Sequence, residues 1–261
     1  MDTPAPAGEL EMGQGSLRVP FGDGHVQIKI SLPVKDAPSE AMLPGLRQLD
    51  EQLIAAGVAT AERDGRSVSC RAGCGACCRQ VVPVGATEAR HLERFLRSLP
   101  AERQAVLAER AIAGMKRLEE TGVLADLERF WSADGDARNA LAVTYFKAGV
   151  PCPFLENESC GIYAERPLVC REFLVTSDPK LCETPWDEGV AGVKVPLRLN
   201  PTLLEMDRQD AVQDWQPLLV LIYRVLCEDA TFAPGPHRDG QAWLERFADA
   251  LGKTHKPPAS Q

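Results

Sequence analysis

The stretch SCRAGCGACCRQ, from Ser69 to Gln80, puts four cysteines within nine positions, the last two adjacent. A run this short, broken by Gly73 and Gly75, cannot be a core helix or strand of its own. Its glycines free the backbone for tight turns, so it reads as a loop that gathers thiols. The chain has nine cysteines, an odd number that suits a fully paired disulfide framework poorly. The N-terminus, MDTPAPAGELEMGQGS, lacks the basic and apolar regions of a secretory signal. The longest apolar run, PLLVLIYRVL, is too short to span a bilayer. We therefore expect a cytoplasmic chain with no membrane partner, in a compartment that keeps thiols reduced. Crowded thiols there point to metal or redox chemistry.

The first group is C-x3-C-x2-C-C, at Cys70, Cys74, Cys77 and Cys78. A second group follows at Cys152, Cys160, Cys170 and Cys182. Soft thiolates select zinc, copper(I) or iron–sulfur clusters over magnesium or calcium. Zinc closes with four ligands, and iron–sulfur clusters also commonly take four thiolates. Both remain open, because neither the zinc-ribbon spacing nor the compact ferredoxin run is matched. Neighbouring side chains tend to diverge, so Cys77 and Cys78 are expected to serve two centres or two atoms of one cluster. That doublet, with the wide second spacing, favours iron–sulfur, as one cluster or two, over zinc. Cys227 follows an apolar helical run and reads as a packed thiol.

Seventy-three residues separate Cys78 from Cys152, and their pattern is helical. A hairpin of helices would return the two groups to shared or adjacent sites. With 261 residues and 44% hydrophobic content, the chain can bury a core without staples. The predicted class is mainly α with a small β component (α+β), built as follows. Residues 1–14 lack periodicity. Residues 15–66 hold a β-hairpin and a helix starting near Ser39. Residues 67–185 hold the cysteine region with its helical insertion, in which Thr87 caps a helix. Residues 186–252 supply a strand, VAGVKVPLRL, and helices near 202–214, 217–228 and 239–251. The last carries Leu244, Phe247, Ala248 and Leu251 on one face, and 253–261 is a loose tail. The net charge of −8 argues against nucleic acid, whose binding needs Lys and Arg on phosphates; a protein partner is left open.

The elements GACC at Gly75–Cys78, CPFL at Cys152–Leu155, C-x-IY at Cys160–Tyr163 and RP-x2-CR-x-F at Arg166–Phe173 occur together. In that combination the chain resembles the CxxCxxCC, or YkgJ-type, cysteine-cluster proteins over about residues 68–182. That family is described as zinc- or iron-chelating and includes the flagellin lysine N-methylases. The resemblance implies metal binding by the matching cysteines and, in one branch, methyl transfer from S-adenosylmethionine. The first cysteine step here is three residues rather than two, a departure at Cys70. No G-x-G-x-x-G follows a strand. The radical-enzyme spacing C-x3-C-x2-C is present, without the repeated βα units of the barrel those enzymes use. The resemblance names a site rather than a reaction, and no Ser-His-Asp or Cys-His arrangement supports hydrolysis.

Arg71, Arg79, Arg166 and Arg171 flank the thiols. A guanidinium beside a four-thiolate site offsets its charge. Arg166 and Arg171 are the two we assign to the cofactor; Arg71 and Arg79 read as surface arginines. Tyr163 and Phe154 are expected to wall the site from water.

Overall fold

The computed structural model describes residues 11–127, 135–187, 189–210 and 216–255. The expectations for 1–10 and 256–261 lie outside the described residues, as does the end expected for the helix near 202–214. Strands β1 (Met12–Phe21) and β2 (Gly24–Pro33) pair antiparallel, with Phe21 opposite Gly24. The pairing begins at Met12, earlier than expected, because the ladder continues past the alternating stretch to Pro33. Ile28, Ile30 and Leu32 are buried. After β3 (Ala37–Pro38), a 3-10 turn over Ser39–Met42 leads into α1 (Leu43–Arg63), with Pro44 in the first turn. There the missing N–H of proline costs nothing.

Strand β4 (Pro83–Val84) precedes α2 (Ala86–Ser98), α3 (Ala101–Glu120), α4 (Val123–Leu127) and α5 (Gly135–Lys147). The second cysteine segment holds a small hairpin, β5 (Leu155–Glu156) with β6 (Ser159–Cys160), and the short α6 (Leu168–Arg171). Then come α7 (Leu199–Gln209), β7 (Gln216–Pro217), α8 (Leu218–Cys227), β8 (His237–Arg238) and α9 (Gly240–Thr254). Strand β4 pairs with β7, and β3 with β8. The class is α+β, as expected.

Two apolar cores result. One joins the hairpin, α1, α7 and α9 around Leu46, Leu49, Leu53 and Trp243. The other joins α2, α3, α5 and α8 around Leu92, Leu96, Leu107 and Ile222. The second cysteine segment spans both: Phe154 and Ile162 lie in the latter, Leu168 in the former. Its place is therefore fixed by burial on two sides, and each large apolar side chain buried contributes about 1.5–3 kcal/mol.

Three expectations are corrected. VAGVKVPLRL is not a strand: its one bridge is Gly192 to Val175, Pro196 cannot donate to a ladder, and the segment lies on α1, where a Cβ at Gly57 would stand 2.5 Å from the Lys194 carbonyl. In α9 the buried residues are Trp243, Phe247 and Ala250, while Leu244 is 41% exposed. Trp243 sets that rotation, donating its indole N–H to the Ala37 carbonyl at 3.0 Å. Thr87 does not cap α2; its backbone N–H and its hydroxyl donate to Asp207 at 3.0 and 2.6 Å, so the acceptor comes from α7.

Candidate metal centre

The first cysteine segment turns tightly. Gly73 has φ +84, a conformation natural to glycine. The Cys74 N–H donates to Arg71 O at 3.1 Å, and residues Ala76–Arg79 form a 3-10 turn. In that turn the Cys78 thiol raises the pKa of its neighbour Cys77.

The second segment closes directly on the first. Cys152 N–H donates to Cys78 O at 2.7 Å. Gly73 N–H donates to the Ser159 hydroxyl at 2.9 Å. Ser69 N–H donates to Val175 O at 2.9 Å, and Val175 N–H to the Cys70 sulfur at 3.4 Å. The 3-10 turn Pro179–Glu183, which carries Cys182, packs against the Ala76–Arg79 turn.

The eight thiols share one electrostatic neighbourhood. Burial raises the pKa of Cys70, Cys160, Cys170 and Cys182, and the neighbouring Cys77 raises each further. Burial and the Cys160 and Cys77 thiols push Cys152 up to about 12. For Cys77 the neighbouring Cys78 thiol is the largest upward influence, ahead of burial. Cys77 thus acts electrostatically on cysteines of both segments, on Cys70 in the first and on Cys152, Cys160, Cys170 and Cys182 in the second. Cys74 enters through its effect on Cys70 and Cys182. Cys227 stands apart: it is exposed rather than packed, and its neighbours are Ala108 O and Glu228.

A family model matches residues 69–187: CxxCxxCC, described as "Putative zinc- or iron-chelating domain". The match makes residues 69–187 a CxxCxxCC domain. No curated protein and no solved structure matches the chain. Among the described residues, no three or more His, Cys, Asp or Glu side chains stand, as placed, so as to hold a metal ion. What fits a metal is the donor chemistry. Sulfur donors are crowded where, as thiols, they keep their protons, and a soft metal ion displaces those protons on binding.

The CxxCxxCC domain also carries a cation for that charge. Arg166 lowers the pKa of Cys70, Cys77, Cys160 and Cys170, in each case less than other influences raise it. Its guanidinium stacks 3.7 Å from the Tyr163 ring centroid. Its Nε is buried with no hydrogen-bond partner among the described residues. Tyr163 is 68% exposed, so it covers Arg166 rather than the thiols; Phe154 is buried as expected. Arg171 faces elsewhere. It donates to Arg166 O at 3.0 Å, to Ala164 O, and to Glu51 on α1 at 3.3 Å.

Several positioning residues had no signal in the cysteine pattern. Arg103, Arg110 and Arg117 recur every seven residues on α3 and hold the approach to the second segment. Arg103 pairs with Glu156, Arg110 donates to Pro153 O at 2.9 Å, and Arg117 to Ala148 O at 3.2 Å. Glu88 accepts the Leu168 N–H at 2.9 Å, and Glu172 accepts the Leu199 and Asn200 N–H groups. These buried carboxylates satisfy the free N–H groups where α6 and α7 begin. The seven-residue arginine spacing was available in the sequence; the carboxylate pairings were not.

Proposed function

We propose that this chain binds a polynuclear metal centre, iron–sulfur in preference to zinc, and serves as a binding, metal-handling or electron-transfer module of the cytoplasm. The ligand set is drawn from Cys70, Cys74, Cys77, Cys78, Cys152, Cys160, Cys170 and Cys182. The observation that supports this reading is that the two cysteine segments lie directly against each other, with Cys152 N–H on Cys78 O at 2.7 Å and Gly73 N–H on the Ser159 hydroxyl at 2.9 Å. The two segments together offer eight sulfur donors, more than the four one tetrahedral zinc takes. When bound, an iron–sulfur group supplies electron storage, and zinc supplies a fixed cross-link.

Arg166 offsets the negative charge of the thiolates, and Tyr163 holds its guanidinium in place. Arg171 serves the centre at one remove, through the Arg166 carbonyl. The test is purification without air, followed by assay of iron, sulfide and zinc. Iron and sulfide in a brown protein support the reading. A colourless protein with stoichiometric zinc contradicts the preference for iron.

A further inference from the structure

The turn between β5 and β6 is strained in an unusual place. Asn157 and Glu158 have φ of +48 and +56, the left-handed pair that two-residue hairpins require. Asparagine is at home at the first position. The second ordinarily takes glycine, and glutamate there is disfavoured by its Cβ. Local strain of this kind persists where the surroundings over-determine it.

What holds Glu158 is the other cysteine segment. Arg79 donates to both of its carboxylate oxygens, Nη2 to Oε1 at 2.8 Å and Nη1 to Oε2 at 3.0 Å. The same Nη1 also donates to Gly75 O at 2.9 Å. Gly75 leaves room for this approach, since a Cβ there would stand 2.4 Å from Glu158 Oε2 and 3.1 Å from Glu158 Cα. Arg79 is the residue after Cys78, and Glu158 lies two before Cys160. We propose that the Arg79–Glu158 fork is a positioning clasp, which closes the two cysteine segments on each other before metal arrives. The strained turn is kept because it aims the carboxylate across the gap. This inference rests on the metal-centre reading above.

The pair is partly exposed, so its direct contribution to stability is small, and its effect is expected in pre-organisation. The variants are Glu158→Gly, Arg79→Glu and the exchange Arg79→Glu with Glu158→Arg. Glycine relieves the left-handed strain, so Glu158→Gly keeps or raises the melting temperature of the metal-free protein. The same variant weakens zinc binding, measured by chelator competition, by about threefold or more. Its Cys74 and Cys77 thiols are alkylated faster in the metal-free protein, by a similar factor. Arg79→Glu behaves likewise, and the exchange restores both readouts. Unchanged alkylation in Glu158→Gly, or failure of the exchange to rescue it, overturns the clasp. A wild-type chain that binds no metal overturns the metal-centre reading, and alkylation still decides the clasp.

Discussion

Asp50 on α1 shows most plainly what a single residue can cost. It is 0% exposed, and neither carboxylate oxygen has a hydrogen-bond partner among the described residues. Burial, then repulsion from Glu172, pushes its pKa up from 3.8 to about 8. A carboxyl that is raised on folding favours the folded state fully below its unfolded pKa. That benefit is lost as pH rises from about 4 to about 8. Asp50→Asn is therefore expected to raise the melting temperature at pH 8, with a gain of about 1–3 kcal/mol, and to flatten the pH profile between pH 5 and 8. Thermal denaturation across that range checks it; an unchanged slope would show that Asp50 finds a partner. At the centre itself, Cys74→Ser is expected to lose metal and lower the melting temperature, since metal binding and folding are coupled. Cys227→Ser is expected to keep both. The cysteines were legible as donors from spacing alone. Asp50 was not, because only the tertiary fold decides that a polar position on a helix faces inward.

Elements here are placed by close approach as much as by apolar pattern. Helix α1 lies so near β2 that a Cβ at Gly45 would stand 1.7 Å from the Ser31 carbonyl oxygen. Gly45→Ala must push helix and hairpin apart, at a cost of about 1–3 kcal/mol, readable as a lower urea midpoint. A midpoint equal to the wild type would mean that the contact is slack. On α3, Arg110→Ala removes the donor to Pro153 O. It should cost about 0.5–1.5 kcal/mol and loosen the loop before Cys152, seen as faster alkylation of that thiol. The helices were legible because their buried residues recur at helical spacing. The stretch 190–199 was misread because alternation alone cannot show whether a neighbouring strand exists. The rotation of α9 was missed because Trp243 anchors it through a carbonyl two hundred residues away in the chain.

Across the whole molecule, the two cysteine segments are the ends of a helical excursion, and α2 to α5 bring them back into one basin. That return was legible from the length and periodicity between Cys78 and Cys152. The contacts that seal it, Cys152 to Cys78 and Gly73 to Ser159, depend on backbone direction and were not. The segment that completes the basin also joins the two apolar cores, so metal loading and global stability are expected to move together. The most direct test of a shared centre is the metal content of two single variants, Cys74→Ser from the first segment and Cys160→Ser from the second, beside the wild type. One shared centre predicts that either substitution alone removes most of the metal. Loss of about half the metal from each, with the remainder firmly bound, would mean two independent sites and would contradict the account.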